Sequence, residues 1–473
     1  MRVLAIAIVA LAGAAHVAWA PAPARAQSTP KLAPLRRPAP PPPITVAQVP
    51  PAQAADGARA TLLAGLVGGN DDPLRDEEIV RFEPVAAPQT GGLHLSLGAK
   101  VAAPAARVRA LLTEPATYQR AVPAFVRAEV RAIAPAPAAP AGLPAAPPAR
   151  LLDWELEIPL WNLEGRLWLH PIADGAILDL VEGDLTPGHI ELHVSAHGSG
   201  SVLVLSGDVN LKDANWITRR LAARDALAEP AMAITAMYVL LRGLRLEAER
   251  SDPARVALRR WPTAPMGAPA LASIDVAPFT RRLANDAAAG AAASTSSFAR
   301  VLSRADGRLD RIELVVPTPL PVPTAAARVL EPGRWRALPG WKRIAPGPGG
   351  GAVKATWQVD AGLPFVDFDA TWSILGQQPF RAEARAGDWV GPIMAIDLMA
   401  RAAGPTQLVL TCHPRVDKVG FIPRRLIAAE PLLEHGLGLG LTFVNAHALT
   451  RAIGRGGAGT GAGAGTGAGA GDR

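Results

Sequence analysis

Apolar and polar residues alternate along two long parts of the chain, and each part ends in a helical pattern. The first part predicts a strand from Leu93 to about Val101, a short helix after Pro104, and further strands joined by turn residues. A long helical segment follows, from about Trp216 to Ala248. The same order recurs from Leu309 and ends in a helix over 421–453. The pattern therefore predicts an α+β protein in which one antiparallel fold occurs twice.

A duplicated motif supports this repetition. Residues 114–125 contain a Glu-Pro pair, an aromatic residue and an aliphatic-Pro pair, and residues 331–341 repeat the arrangement. Glu114 and Glu331 are 217 positions apart, whereas Trp154 and Trp357 are 203 positions apart. Loss of a Pro/Ala-rich loop, residues 134–149, from the second copy accounts for the decrease. We expect the motif to set the turn between short helices and to dock them on the sheet.

Composition divides the rest of the chain. An apolar run after Arg2 ends in Ala24-Arg25-Ala26, which is typical of a cleaved signal peptide. We therefore expect an exported protein, located in the periplasm or outside the cell. The expected segments are a signal peptide (1–26), a Pro-rich disordered linker (27–58), a lead-in segment (59–92), a first domain (93–250), a linker (251–308), a second domain (309–453) and a Gly/Ala-rich disordered tail (454–473).

Charge and cysteine content restrict the partners. The net charge is +7, but the arginines are scattered and form no dense basic stripe with aromatic residues, so a nucleic-acid partner is not expected. Transient contact with an anionic membrane surface remains open. Cys412 is the only cysteine, so stability must come from packing rather than from an internal disulfide.

The element order resembles the START-like helix-grip superfamily (SRPBCC), of the polyketide cyclase and coenzyme Q-binding type. The residues that carry the resemblance are Val101 to Pro104 with Val108 and Leu111-Leu112, Glu114-Pro115 through Tyr118, Val122-Pro123, Gly183-Asp184 and the terminal helix. The resemblance implies two tandem domains, each a curved antiparallel sheet wrapped around a long C-terminal helix. It also implies a hydrophobic cavity for a lipid, isoprenoid or polyketide-like ligand. The superfamily shares no universal catalytic residue, so none is assigned.

Strand parity indicates which residues face such a cavity. Trp154 and Leu156 alternate with charged residues and are expected to point inward. If Trp168 follows its counterpart Trp372, then Glu164, Arg166 and His170 also point inward and could anchor a polar ligand group. The leucines on the opposite face of that strand, Leu163, Leu167 and Leu169, would equally prefer burial, so both orientations remain open. The pocket candidates are Trp154, Leu156, Arg166, Trp168, Met232, Thr235, Trp357, Val359, Trp372, Leu437 and Gly440.

Two further patterns have competing explanations. Gly436, Gly438 and Gly440 lie in the second long helix, although each helical glycine costs about 1 kcal/mol relative to alanine. They either leave room for a ligand or allow the helix and the sheet to approach closely. His189, His193 and His197 are four residues apart, which on a strand separates them by about 13 Å. We therefore predict a solvated face there, no metal site and no cofactor.

These observations favour an exported, soluble protein that binds or carries a hydrophobic small molecule, for which catalysis is not required. One alternative is a cyclase or dehydrase-type enzyme in which an inward acid or His170 performs acid-base chemistry. The other is a non-catalytic scaffold whose cavities are filled by side chains.

Overall fold

A computed structural model describes most of the two repeated regions. The described residues are 78–86, 93–134, 147–158, 161–209, 228–250, 297–304, 307–329, 331, 334, 341–346, 352–359, 368–375, 380–387, 391–400, 406–415, 427 and 430–454. The expected signal peptide, Pro-rich linker and Gly/Ala-rich tail lie outside these residues, apart from Gly454.

The first copy is preceded by one additional strand. Its elements are β1 (Glu78–Ala86), β2 (Leu93–Val101), α1 (Ala105–Leu112), α2 (Pro115–Ala121), β3 (Phe125–Ile133), β4 (Arg150–Ile158), β5 (Trp161–Ile172), β6 (Gly175–Gly183), β7 (Gly188–His197), β8 (Gly200–Val209) and α3 (Ala228–Ala248). Residues 210–227, where the sequence predicts the start of the long helix, are outside the described part of the chain.

The second copy repeats this order, except that its described elements include one short helix instead of two, and it is likewise preceded by an additional strand. Its elements are β9 (Ser297–Ser303), β10 (Leu309–Thr318), α4 (Val322–Val329), β11 (Trp341–Pro346), β12 (Ala352–Val359), β13 (Phe368–Leu375), β14 (Phe380–Gly387), β15 (Ile393–Met399), β16 (Thr406–His413) and α5 (Leu433–Gly454). The element order confirms the prediction of two tandem copies of one helix-grip fold, an antiparallel sheet followed by a long C-terminal helix.

The described strands form one antiparallel sheet of sixteen strands. In each copy the first strand pairs with the last, β2 with β8 and β10 with β16. The two halves join through the additional strands, because β1 pairs with both β2 and β9, and β9 pairs with β10. The prediction of a linker over 251–308 is therefore wrong for Ser297–Ser303. This strand has only seven residues. Its pattern was not recognised in the sequence because it directly follows an Ala-rich stretch without periodicity.

One face of the sheet, which we call the inner face, packs against the two long helices. Leu97 and Ala99 of β2 face α3, and Leu314 of β10 and Leu410 of β16 continue the same buried face in the second copy. Each fully buried leucine stabilises the fold by about 1.5–3 kcal/mol relative to an exposed one. The opposite, outer face of the first copy carries mainly charged and polar side chains.

The repeated Glu-Pro motif docks the short helices of the first copy, as predicted. Glu114 precedes α2 with an extended backbone, and Pro115 occupies the first turn, where its missing N–H costs nothing. Tyr118 is buried, and its hydroxyl donates to the Leu112 carbonyl over 2.8 Å. Arg120 of α2 pairs with the buried Glu247 of α3 at 2.8 Å. The motif therefore fastens α2 to both α1 and the long helix.

The two long helices pack directly against each other. The Thr235 hydroxyl of α3 donates to the Gly436 carbonyl of α5 at 3.1 Å. A Cβ atom at Gly436 would lie 3.0 Å from the Thr235 carbonyl oxygen and 3.1 Å from its methyl carbon. The glycine therefore permits a close helix-helix approach. None of the helices that the structure describes is long and apolar enough to cross a membrane.

Candidate functional site

The strand register fixes which side chains of the first copy face inward. Trp154 on β4 is directly opposite Gly165 on β5, and Leu152 is opposite Leu167. Leu167 in turn is opposite Leu180 on β6. All of these leucines and Trp154 are buried and belong to the core cluster that contains α3. Trp154 and Leu156 therefore lie on the inner face, where the sequence places them.

Two aromatic side chains continue this surface toward the edge of the sheet. The Phe125 ring stacks on Trp154 with centroids 6.4 Å apart and an interplanar angle of 24°, and the Tyr118 ring follows 6.3 Å beyond Phe125. Gly165 makes room for the indole, since a Cβ there would lie 2.9 Å from the Trp154 ring and 2.2 Å from the Glu182 carbonyl oxygen. A glycine inside a strand pattern is the sequence signal for such a close approach.

The inner face becomes open at its β3 end. Val130 is opposite Leu152 in the register and is 47% exposed, although it is apolar. Phe125 and Leu156 are half-buried. The helix α3 packs against β2 and β8, at the other end of the strand order. We call Phe125, Val130, Leu152, Trp154 and Leu156 the first inner-face site.

The Trp154 indole N–H is a polar group within this apolar surface. The side chain is 1% exposed, and within the described part of the chain Nε1 has no hydrogen-bond partner. Buried indole N–H groups usually find an acceptor, and a buried donor without one costs about 1–3 kcal/mol. Trp154 is therefore the one described member of the first inner-face site with an unused hydrogen-bonding capacity.

Arg166 and Trp168 do not face the inner site, so this part of the sequence prediction is wrong. Arg166 is opposite Asp153 and Trp168 opposite Leu151, both on the outer face. The guanidinium of Arg166 donates to Asp153 at 3.1 Å and to Glu182 at 2.8 Å. The opposite orientation prevails because it buries Leu163, Leu167 and Leu169.

The sheet register also explains why the sequence comparison of Trp168 with Trp372 assigned Trp168 to the wrong face of β5. Trp154 is opposite Gly165, and Trp357 is opposite Ala370. Counting two residues along each strand makes Leu167, rather than Trp168, the counterpart of Trp372. A shift of one residue moves a side chain to the other face of a strand. The matching tryptophans are therefore one position out of structural register.

Histidines and acids form a continuous network on the outer face. Asp179 lies between His170 (3.2 Å) and His189 (2.6 Å). Glu191 lies between His189 (3.1 Å) and His193 (3.0 Å), and Asp174 contacts His193 at 3.0 Å. His170 is thus on the outer face, where it cannot serve a ligand on the inner face. Within the described residues, no group of His, Cys, Asp and Glu side chains is arranged to hold a metal ion.

The central groups of the network, His189, Asp179 and Glu191, are held in their charged forms. Hydrogen bonds to Asp179 and Glu191 raise the pKa of His189 to about 10, because both ring nitrogens of an imidazolium can donate. Burial alone would raise the pKa of Asp179, but its contacts with His170 and His189 lower it to about 2. Hydrogen bonds from His189 and His193 lower the pKa of Glu191 as well. The outer face is therefore neutralised internally rather than available to a ligand.

The pocket candidates on the two long helices lie at packing contacts. Thr235 is used at the contact with α5, and its hydroxyl also donates to the Ala231 carbonyl at 2.9 Å. Met232 and Leu437 are buried in the core. A Cβ at Gly438 would lie 2.5 Å from Leu309 Cδ2 and 3.0 Å from Pro414 Cγ. Of the two explanations for the helix glycines, close approach applies at Gly436 and Gly438, and Gly440 is buried in the same helix.

The strand candidates of the second copy are defined only by backbone register. Trp357 is opposite Ala370, Val359 is opposite Phe368, and Trp372 is opposite the buried Ala384. The side chains of these three candidates lie outside the described part of the structure, so their role as pocket residues stays a prediction.

A buried polar cluster at the junction of the copies was not predicted. Arg308 and Glu434 form an ion pair at 2.9 Å with both side chains almost fully buried. The guanidinium of Arg242 donates to Ser303 Oγ at 3.1 Å, so the Ser303 hydroxyl can donate to His435 Nε2, also at 3.1 Å. Burial and the charges of Arg242 and Arg308 lower the pKa of His435 well below its usual value. Glu434 and His435, at the start of the otherwise apolar helix α5, were the sequence signal that could have indicated this cluster.

Glu430 connects the second copy to the first inner-face site. It is buried, and its carboxylate accepts from the backbone N–H of Ala124 at 3.1 Å and from that of Leu432 at 3.1 Å. Ala124 directly precedes Phe125, the residue that stacks on Trp154. The segment before α5 therefore supports one wall of a site in the other copy.

Comparison with known proteins gives structural likeness only. No family model and no curated protein matches the chain. A solved structure of TTHA0849 from Thermus thermophilus is similar over 34% of this chain and 99% of its own, with 16% identity and a TM-score of 0.26. Two di-domain ARO/CYC proteins each cover 76% of this chain at 11% identity: BexL from the BE-7585A pathway (97% of its own chain, TM-score 0.24) and StfQ from the steffimycin pathway (98%, TM-score 0.23).

TM-scores of this size carry no argument about ligand or reaction. The fold is instead defined by the described elements, which give an α+β protein with two tandem helix-grip copies.

Proposed function

We propose that the protein binds a hydrophobic small molecule, such as a lipid, an isoprenoid or a polyketide-like compound, at the first inner-face site. The observation that carries the proposal is the open apolar surface at the β3 end of the sheet. Val130 is nearly half exposed there, and Phe125 and Leu156 are half-buried beside the enclosed Trp154. An apolar concavity with few polar groups is the usual form of a small-molecule site.

Binding would cover apolar surface that the protein itself leaves accessible. Transfer of apolar area out of water contributes roughly 25 cal/mol per Å². The neighbouring charges do not oppose an apolar ligand, because Asp153, Glu155 and Arg166 lie on the outer face and are paired with each other or with nearby arginines and acids. The arrangement therefore suits a neutral, largely apolar molecule.

The direct test is to identify what co-purifies with the full chain. Organic extraction followed by mass spectrometry should recover a hydrophobic compound in stoichiometric amount, and native mass spectrometry should show the matching mass difference. Leu156→Trp should fill the site and reduce the recovered compound about tenfold. Val181→Trp is the matched control, since Val181 is exposed at an irregularity of β6 and should leave recovery unchanged. Equal recovery from both variants would place the ligand elsewhere, and no recovery from the parent protein would contradict binding.

The structure bears differently on the two alternative functions. In the cyclase or dehydrase alternative, His170 can no longer be the acid-base group, because it lies on the outer face in contact with Asp179. The scaffold alternative is favoured for the second long helix by the close contacts of Gly436 and Gly438. We therefore propose that ligand binding belongs to the first copy and that the second copy has a supporting role.

Export is part of the proposal and depends on residues 1–26 alone. The experiment is to express the full chain and a variant that lacks these residues and to separate the cell fractions. The full chain should be found, shortened by about this length, outside the cytoplasm. Retention of unshortened protein in the cytoplasm would contradict export.

A further inference from the structure

The first inner-face site contains one buried hydrogen-bond donor that no described residue satisfies. Trp154 Nε1 has no partner among the described residues, and the side chain is 1% exposed. Most buried polar groups in folded proteins have a partner, so each exception requires an explanation. A glycine opposite the indole, Gly165, is needed to accommodate it, which shows that the ring is fitted closely into this position.

The described neighbours of the indole on the inner face are apolar side chains that offer no acceptor. Trp154 is flanked along β4 by Leu152 and Leu156, and Phe125 stacks against it. The charged residues of β4 and β5, such as Asp153 and Arg166, are on the other face and form ion pairs there. Of the described side chains of the first inner-face site, only Trp154 can form a hydrogen bond.

We propose that Trp154 Nε1 is the polar anchor of this site and donates a hydrogen bond to an uncharged oxygen of the ligand. The inference rests on the proposed function and deepens it by naming the ligand chemistry. An indole N–H only donates, so the ligand must supply an acceptor such as a ketone, quinone, ether or hydroxyl oxygen. A carboxylate is disfavoured, because it would be buried without a cation. The stacked Phe125 and Trp154 rings favour a flat region next to that oxygen.

Entry of the oxygen requires a side chain to move, since Nε1 is enclosed by the chain. Phe125 is half-buried and lies at the open β3 end beside the indole, so its ring is the one that we expect to move. The anchor is thus reached from the apolar opening at Val130 rather than from the helix side.

The probe for the test is 6-propionyl-2-(dimethylamino)naphthalene, which has a flat apolar body and one ketone. Its emission moves to longer wavelengths when the ketone accepts a hydrogen bond. The full chain is titrated as the parent protein, as Trp154→Phe, which keeps a ring but removes the N–H, and as Trp168→Phe, the same change on the outer face. Trp154→Phe should weaken binding about five- to tenfold, as expected for loss of one hydrogen bond, and move the bound emission to shorter wavelengths. Trp168→Phe should do neither.

The outcomes separate the anchor from the proposed function. Equal affinity and equal emission in the parent and Trp154→Phe would overturn the anchor while leaving hydrophobic binding intact. No binding to the parent protein would overturn both. If Trp154→Phe does not fold, the parent protein is tested with 2-acetylnaphthalene and 2-ethylnaphthalene as competitors of the probe. The ketone should compete several-fold more strongly than its partition into an apolar solvent predicts, and competition that follows partition alone would overturn the anchor.

Discussion

Replacing Glu434 with Gln removes the negative charge from the buried ion pair that joins the second long helix to the sheet. Glu434 accepts two hydrogen bonds from Arg308, the shorter at 2.9 Å, and one from the Leu309 N–H at 3.2 Å. The two side chains are 2% and 3% exposed, so water cannot replace the lost charge. The guanidinium of Arg308 would remain buried and would lose the negative charge of Glu434.

The expected cost follows from this geometry. Removing one partner of a buried ion pair typically destabilises a protein by about 3–5 kcal/mol, because the remaining charge stays desolvated. Gln keeps the size and one acceptor oxygen of Glu, so we expect the lower end, about 3 kcal/mol. Glu331→Gln is the matched control. Glu331 pairs with Arg334 at 3.0 Å, but its side chain is 50% exposed, and such pairs contribute at most about 1 kcal/mol.

The assay is equilibrium unfolding in guanidinium chloride, followed by far-UV circular dichroism. Because one sheet runs through both copies and the long helices pack together, we expect a single transition whose midpoint moves in Glu434→Gln. A double change of Arg308 and Glu434 to Met and Leu should recover most of the loss, since the buried guanidinium is then removed together with its carboxylate partner. A loss below about 1 kcal/mol for Glu434→Gln, or no recovery in the double variant, would refute the reasoning.

Three further predictions concern the helices and the outer face. Gly438→Ala should destabilise the protein by about 1–2 kcal/mol in the same assay, because overpacking against Leu309 and Pro414 outweighs the gain in helix propensity. Gly454→Ala is the control and should not destabilise it, since a Cβ at Gly454 would meet no atom within 4 Å. Tyr118→Phe should cost about 1 kcal/mol in thermal unfolding, since the Leu112 carbonyl loses its donor, and an unchanged midpoint would contradict this. The pKa of His189 is raised to about 10 in the folded protein from about 6.5 in the unfolded chain. Its stabilising contribution is therefore complete below about pH 6.5 and is lost as the pH rises toward about 10. His189→Gln should flatten that part of the stability-pH profile, and an unchanged slope would exclude His189 as its cause.

Local patterns were sufficient to predict the order of elements from β2 and from β10 onward and their duplication, but not the additional strands β1 and β9. Strands joined by turn residues and helices with apolar stripes are encoded over short windows, so both copies could be recognised from the sequence. The inward orientation of Trp154 followed from simple alternation with Asp153 and Glu155, and β4 is regular at that point. The docking role of Tyr118 could be inferred because its motif occurs twice.

Pairings between distant segments could not be predicted in the same way. Strand β1 pairs with β9, roughly 200 residues later in the chain, and alternation within either strand does not specify its partner. The face of β5 was ambiguous because Trp168 and three leucines compete for burial, and a single position of register decides between them. Burial of the larger apolar set, Leu163, Leu167 and Leu169, determined the outcome.

The unpredicted contacts also support the different roles that we propose for the two copies. Gly436 and Gly438 bring α5 close to α3 and to its own sheet, and this close packing is the basis for proposing a supporting role for the second copy. The same helix end supports the first copy at two points, because Gly436 accepts from Thr235 on α3 and Glu430 accepts from Ala124 beside Phe125. The close packing of the second copy thus holds in place the long helix and the strand end that border the first inner-face site. A ligand bound at Trp154 would therefore stabilise the junction between the copies as well as the site itself, because it favours the arrangement of Ala124 and Phe125 that Glu430 also favours.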